Sequence, residues 1–302
     1  MKDKFFSRII MWITGMFILF TIINVHAEEK YIDIFGQEQA ACTRDDLSSA
    51  VASYIAAQKA GDASKMSLAD ETKYFENMVS IGKDAGLWNT ALPVAYNRSF
   101  QDPARCKTFT EVIVTEGDHQ YVIGTRLAVA DGRITEINSL VTDKGDWLFN
   151  ADAYLKYASR EDWGLLETGQ KTPAQELINA ANQYLDLFSD KFVKAPFGLP
   201  CERTEGGAYT NVDNKPDVGC TVGIPPGVLY IVNRSYVVDE EKGVVNVFCR
   251  FGNSTNGMPD SHTFRLVNGK FRHIHTISVN MNPDMPSPQA DENGRMIRQP
   301  QQ

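Results

Sequence analysis

The sequence lacks the patterns that mark several large enzyme classes. It contains no G-x-S-x-G, no H-E-x-x-H, no P-loop and no dinucleotide-binding fingerprint, the spacings that place a serine nucleophile, a zinc ion or a nucleotide phosphate. Basic residues are also too few for a nucleic-acid partner, because 30 Lys and Arg face 38 Asp and Glu and such a partner needs a basic surface. We therefore expect no cofactor, no serine-hydrolase chemistry and no nucleic-acid binding.

Cysteine is scarce as well, with five in the whole chain. Cys42 and Cys106 lie in the first half, and Cys201 and Cys220 bracket one loop in the second half. Pairing within each half is the simplest connectivity, although four cysteines allow three connectivities. Cys249 lies in an apolar run, where we expect a buried thiol in a strand.

The N-terminal segment 1–27 has the features of a signal peptide. An apolar run at 9–25 ends near the small residues Val25 and Ala27, the pattern that signal peptidase cleaves. The basic residues that precede the run are Lys2, Lys4 and Arg8. We predict cleavage after Ala27 and a periplasmic or secreted protein without an integral membrane domain. An uncleaved N-terminal anchor is the alternative, because the run at 9–25 is long for a signal peptide and short for a membrane span.

Two amphipathic helices repeat along the chain at an offset of 130 in the numbering. Their apolar residues recur at i, i+4, i+7 and i+8, which is one face of a helix. The first stripe is Leu47, Val51, Tyr54 and Ile55, and the second is Leu177, Ala181, Tyr184 and Leu185. Helix start signals precede both stripes, at Thr43 and at Thr172-Pro173.

Two hairpins also repeat, at an offset of 137. Segments 126–137 and 263–274 alternate apolar and other side chains around a central Asp131-Gly132 or Asn268-Gly269. These dipeptides favour type I′ turns, which need positive φ at both central positions. A unit that contains a helix and a hairpin is thus duplicated, which indicates two related modules.

The repeat divides the chain into segments. We expect a signal peptide at 1–27, an N-terminal extension at 28–41, a first module at 42–160, a linker at 161–172, a second module at 173–280 and a disordered tail at 281–302. The tail is rich in Pro and Gln and has little to bury. Each α+β module, with helices on a curved antiparallel sheet, resembles the NTF2-like or SnoaL-like cone of the cystatin-like type. Such cones enclose a pocket and usually pair through their sheets, so the tandem would be a monomer that forms an intramolecular pseudo-dimer.

Several short segments resemble a secreted protein family that is common in filamentous fungi. In the first half these are Tyr74-Phe75-Glu76-Asn77, Ala85-Gly86-Leu87-Trp88, Asp102-Pro103 and 132–137. In the second half they are 201–207, Asp260-Ser261-His262 and His275-Thr276. The family has no settled activity, so the resemblance implies candidate positions without roles.

The second hairpin carries three of the five histidines. In a regular two-residue hairpin, positions whose numbers add to 537 lie opposite each other and share a face. His262 would then face His275, and Phe264 would face His273, with Asp260 on the same side. We predict an inward cluster in which His262 and His275 act as acid and base, while Asp260 orients one imidazole.

Further residues are candidates for contact with the substrate or with a metal. The predicted substrate-binding residues are His273, Phe264, Arg203, Glu205 and Tyr184. His262, His273 and His275 are the alternative metal ligands, because two of them lie on one strand face and the third lies opposite. No cysteine-rich or glutamate-rich ligand motif accompanies them, and we predict no metal.

These expectations lead to two functional hypotheses. The first is an exported, cofactor-independent enzyme of the lyase, isomerase or hydratase type, with a His/Asp acid–base pocket for a small, largely apolar organic molecule. The alternative is a non-catalytic small-molecule-binding or scaffold protein with the same cone. In that case the histidine face packs against the first module, where Glu136 and Asn138 would hydrogen-bond the imidazoles.

Overall fold

The computed structural model describes residues 42–221, 223–252, 256–282 and 287–297. The predicted signal peptide at 1–27 and the predicted extension at 28–41 lie outside the described residues. Within the described ranges, no helix is both long enough and apolar enough to cross a membrane.

The first module is a helix packed on a six-stranded sheet. Helix α1 is Arg44–Ala60, and the strands are β1 (Leu68–Glu76), β2 (Val79–Ser80), β3 (Tyr96–Asp102), β4 (Lys107–Val114), β5 (Tyr121–Ala130) and β6 (Arg133–Thr142). The strand order is β2-β1-β6-β5-β4-β3. Strands β1 and β6 run parallel, and the other neighbours run antiparallel.

The second module repeats this arrangement strand for strand. A short helix α2 (Ala151–Ala158) precedes it, and its own elements are α3 (Ala174–Asp186), β7 (Phe197–Glu205), β8 (Ala208–Tyr209), β9 (Ile231–Asp239), β10 (Val244–Phe251), β11 (Met258–Val267) and β12 (Lys270–Ser278). The order β8-β7-β12-β11-β10-β9 matches that of the first sheet. The predicted α+β fold of two tandem modules, each with helices packed on a mainly antiparallel sheet, is therefore confirmed.

The two long helices form where their stripes predict them. Helix α1 begins at a capping box, in which Thr43 and Asp46 each accept a hydrogen bond from the other's backbone N–H. Leu47 and Tyr54 of the first stripe are completely buried. The four stripe residues of α3, Leu177, Ala181, Tyr184 and Leu185, are completely buried as well. Each apolar face thus packs into the core of its own module.

Both hairpins contain a β-bulge, which the prediction of a regular two-residue hairpin did not include. Thr135 in β6 and Arg272 in β12, which occupy matching positions of the two hairpins, are extra residues between consecutive cross-strand pairs. A bulge places two residues opposite one, so every partner beyond it moves by one position and changes face. The predicted pairing of His262 with His275 is therefore wrong, because His262 lies opposite Thr276.

Because of the bulge, the histidines that were predicted to share one face lie on both sides of the second sheet. His262 and Phe264 contact Tyr184 of helix α3 on one side, which we call the cone face. His273 and His275 contact Trp163, which follows α2, on the other side. We call that side the seam face, because it also contacts the first module.

The disulfides join cysteines within each half, as the simplest connectivity predicts. Cys42 pairs with Cys106 and Cys201 pairs with Cys220, with Cα–Cα distances of 5.2 and 5.0 Å. Cys249 is a buried free thiol in β10, also as expected. Each bond constrains the unfolded chain of its own half.

The prediction of a disordered tail from residue 281 is wrong for residues 287–297. Strands β13 (Gln289–Ala290) and β14 (Met296–Ile297) pair there. The tail is held by the body of the protein, since Tyr157 donates its hydroxyl to the Asn293 carbonyl and Asn150 donates its amide to the Ala290 carbonyl. The prediction rested on the polar composition of the tail, which does not show that its backbone carbonyls accept hydrogen bonds from side chains of the α2 region.

The two modules contact each other through a reciprocal pair of aspartates. Asp102 at the end of β3 accepts a hydrogen bond from the Val238 N–H at 2.9 Å, and Asp239 at the end of β9 accepts one from the Gln101 N–H at 3.0 Å. Both aspartates are at most 1% exposed. Contacts that repeat in this way are typical of a two-fold interface, here between two halves of one chain.

We expect the Asp239→Ala variant to lower the free energy of unfolding by about 1.5–3 kcal/mol, because Gln101 N–H and Arg44 lose a charged acceptor. Urea denaturation measures the change. The matched control is Asp70→Ala, whose side chain is fully exposed and which should leave the midpoint unchanged. Equal midpoints for the two variants would contradict the assignment.

Candidate functional site

A cavity of about 420 Å³ opens within the cone of the second module. Most of its wall is apolar, and the lining side chains include Trp147, Phe188, Pro225, Phe251, Met258 and Met296. Trp147 precedes α2, and Met296 belongs to the tail hairpin. The cavity is therefore completed by segments on both sides of the second module.

A small polar group lies in this apolar wall. Asp260 and His262 are two positions apart on β11, so both point to the cone face, and both line the cavity. They are 1% and 3% exposed, with 3.3 Å between Asp260 Oδ1 and His262 Nδ1. Neither Asp260 oxygen has a hydrogen-bond partner, and His262 Nδ1 has none. Buried polar atoms are rarely left unpaired, so this group is an exception among the buried polar side chains of the second module.

Three other predicted residues surround the same group. Arg203 and Glu205 line the cavity and form an ion pair at 3.2 Å. Tyr184 accepts a hydrogen bond from Arg203 at 3.4 Å, and its ring centroid is 5.6 Å from that of His262. Burial raises the pKa of Tyr184 and, against the opposing effect of Arg203, keeps the phenol protonated. Trp147 donates its indole N–H to Glu205 and holds that carboxylate at the mouth.

The corresponding position in the first module is closed by hydrogen bonds. Tyr54 and Thr125 are bonded at 2.7 Å, and Thr125 and Ser139 at 2.8 Å, all buried. With the helix offset of 130 and the hairpin offset of 137, these three residues correspond to Tyr184, His262 and Thr276. The second module thus has an imidazole in place of the Thr125 hydroxyl, and the hydroxyl that remains, Thr276 Oγ1, has no hydrogen-bond partner.

His275 takes part in a different site, on the seam face. Its Nδ1 lies 2.9 Å from Glu111 Oε1, and its Nε2 lies 2.6 Å from Glu161 Oε2. Tyr154 donates its hydroxyl to Glu111, and Arg98 forms an ion pair with Glu111 at 2.7 Å. We call these five residues the seam cluster. Because the bulge turns His275 away from the cone, the predicted acid–base pair with His262 does not assemble.

The seam cluster is a buried, compensated set of charges. Burial alone would lower the pKa of His275, but Glu111 and Glu161 raise it to about 9. Burial would likewise raise the pKa of Glu111, but His275 and Arg98 hold it well below its usual range. Two carboxylates therefore face two cations, which is the condition for a buried ion pair to be tolerated. The expected acceptors Glu136 and Asn138 are not among the partners of His275. The acceptors come instead from β4 and from the segment after α2.

Two remaining candidates are outside the cone cavity. Phe264 belongs to the apolar core under α3 and does not line the cavity. His273 lies on the seam face, stacked on Trp163 with 5.6 Å between ring centroids. The roles given to the eight candidate residues stay predictions, but the structure brings Asp260, His262, Arg203, Glu205 and Tyr184 together at or beside the cone cavity.

The three histidines do not form a metal site, because His262 lies on the opposite face from the other two. Among the described residues, two other groups bring ligand atoms within 4.8 Å of one another. One is Cys249, Asp260 and His262 in the cone, and the other is Glu161, Glu202 and His273 beside the seam. The thiol of Cys249 lies next to Asp260 across β10 and β11, and burial raises its pKa well above the usual range.

Similarity to known proteins covers part of the chain. Residues 170–278 match the family model of a domain of unknown function, DUF8021, which falls in the second module. No curated protein matches the sequence. The resemblance to a secreted fungal family stays a prediction.

Similar solved structures cover about one module. A candidate ketosteroid isomerase from Kribbella flavida DSM 17836 is 17% identical over 33% of this chain and 79% of its own, with a TM-score of 0.26. AclR, a candidate hydroxylase from Streptomyces galilaeus, is 13% identical over 33% and 91%, with a TM-score of 0.25. An NTF-2 like protein of unknown function from Burkholderia xenovorans LB400 is 13% identical over 39% and 96%, with a TM-score of 0.27.

The raised pKa of His275 predicts how stability depends on pH. Its stabilisation is complete below the unfolded pKa of about 6.5 and is lost as the pH rises through the folded value of about 9. We expect the free energy of unfolding to fall by about 3 kcal/mol across this window, at about 1.36 kcal/mol per pKa unit.

Denaturant unfolding at pH 6, 7.5 and 9.5 measures this change. The His275→Gln variant should lack it, whereas His119→Gln, which changes a half-exposed imidazole, should retain it. A His275→Gln variant with the same pH dependence as the unmodified protein would show that His275 is not charged in the fold.

Proposed function

We propose that the cone of the second module binds a small, largely apolar organic molecule and catalyses proton transfer on it, as a lyase, isomerase or hydratase does. The observation that carries this proposal is the buried Asp260 carboxylate, whose two oxygens have no hydrogen-bond partner in a largely apolar cavity. A buried carboxylate without hydrogen bonds is costly, and a substrate that donates a hydrogen bond to it would reduce that cost.

His262 is the proposed general acid or base, with its Nδ1 facing the cavity beside Asp260. A carboxylate at 3.3 Å stabilises the imidazolium that forms when His262 accepts a proton. Arg203 and Glu205, which line the cavity, are proposed substrate contacts, and so is Tyr184, whose hydroxyl accepts a hydrogen bond from Arg203. His275 is not included, since its ring lies in the seam cluster.

The rest of the chain supports an exported monomer, which we include in the proposal. Two disulfides are typical of an oxidising compartment, and the reciprocal contacts of Asp102 and Asp239 favour a pseudo-dimer formed within one chain. A ligand-binding protein without turnover is the competing function.

A thermal-shift screen of small carbonyl and hydroxyl compounds, followed by mass spectrometry of the products, tests the proposal. For a compound that is turned over, we expect His262→Gln to lower kcat/KM by at least about 100-fold, the usual contribution of a general acid or base. Asp260→Asn should have an effect of similar size. Tyr54→Phe, which changes the corresponding helix position of the first module, is the matched control and should leave kcat/KM unchanged.

Two results would count against this function. Turnover that survives both His262→Gln and Asp260→Asn would exclude the acid–base roles. A compound that binds the cone, with binding weakened by Arg203→Ala but without any product, would favour the competing binding function.

A further inference from the structure

A second cavity of about 510 Å³ lies beside the seam, outside the cone of the second module. Three of its lining residues are Glu161 from the segment after α2, Glu202 from β7 and His273 from β12. His273 and Glu202 are neighbours across the parallel pair β12 and β7. The bulge at Arg272 is what turns His273 to this side.

One polar atom of each of these three residues points toward the others. His273 Nδ1 is 3.5 Å from Glu161 Oε1 and 3.4 Å from Glu202 Oε2. Both His273 Nδ1 and Glu161 Oε1 are buried and have no hydrogen-bond partner, and the two side chains are 4% and 2% exposed. Ligands about 2.0–2.1 Å from a tetrahedral zinc ion are roughly 3.3–3.5 Å apart, which matches these separations.

Neighbouring groups hold the opposite ends of the carboxylates. Glu161 Oε2 accepts hydrogen bonds from the Trp163 indole and from His275, which leaves Oε1 free. Glu202 Oε1 accepts from Asn211 at 2.9 Å. Glu202 Oε2 accepts from Arg272 at 3.2 Å, and a carboxylate oxygen keeps a second lone pair. Outer partners of this kind fix the orientation of metal ligands.

We propose that Glu161, Glu202 and His273 form a binding site for a divalent first-row transition cation such as Zn²⁺. Two carboxylates and one imidazole suit such an ion, and the remaining coordination positions face the cavity. The unpaired Nδ1 of His273 and the unpaired Oε1 of Glu161 lie 3.5 Å apart, and a cation between them would satisfy both atoms.

Zinc titration of the chelator-treated, disulfide-bonded protein against a chromophoric chelator tests the site. We expect one Zn²⁺ per chain, and we expect Glu202→Gln and His273→Gln each to weaken binding at least about tenfold. Glu202→Gln keeps the size of the side chain, and far-ultraviolet circular dichroism confirms its fold. His262→Gln changes the imidazole of the cone instead and should leave the affinity unchanged.

Cobalt substitution separates this site from the group that contains Cys249. An oxygen and nitrogen site gives Co²⁺ d–d bands without a thiolate-to-cobalt charge-transfer band, and this is the expected spectrum. A charge-transfer band that Cys249→Ser abolishes would place the metal in the cone and overturn the proposal. So would the absence of zinc binding, or an affinity that neither Glu202→Gln nor His273→Gln changes. Because the two sites lie on opposite faces of the sheet, none of these results depends on turnover in the cone.

Discussion

The extra residue in the last hairpin of each module is the constraint on which both proposed sites depend. Without the bulge at Arg272, His262 and His275 would share one face of the second sheet, as a regular hairpin requires. With it, Asp260 and His262 remain in the cone, and His273 and His275 turn to the seam face. One inserted residue therefore separates the unpaired polar group of the cone from the ion-paired seam cluster, and gives the two sheet faces different polar side chains.

The same bulge occurs at Thr135 in the first module, where its outcome is structural. The cone there is closed by the Tyr54 and Thr125 hydroxyls, and its seam face supplies Glu111 and Arg98 to the second module. The two modules thus share their strand order and the bulge, and their cones differ in the side chains at these matching positions. The first module provides charges and packing surface, and the second keeps the cavity with unpaired polar atoms.

Local features of the fold could be predicted from sequence because their causes are local. A capping threonine, an apolar stripe at helical spacing and an Asn-Gly turn each act over a short stretch of chain, so the helices and hairpins form where they were expected. The bulge is also visible in the spacing of apolar residues, which the prediction of a regular hairpin did not use. Inward apolar residues are three apart at Ile134 and Ile137, and again at Phe271 and Ile274, whereas a regular strand has an even spacing.

The partners of the histidines could not be predicted in this way. Glu111 is 164 residues from His275, and Glu161 lies in a segment that looked like a solvated linker. Their contacts with His275 depend on how the two sheets stack. The alternation of side chains along a strand gives the face on which a residue lies, but not which residues pack against that face. Asp260 and His262 were correctly placed together because they are two positions apart on one strand, so their proximity does not depend on register.

The central claim is that the unpaired group at Asp260 and His262 exists to hold a small molecule. A crystal structure of the protein with a compound from the thermal-shift screen tests this most directly. We predict electron density for that compound in the cavity of the second module, with a donor within about 3.2 Å of an Asp260 oxygen or of His262 Nδ1. A compound bound elsewhere, with Asp260 turned to a new partner within the protein, would contradict the account.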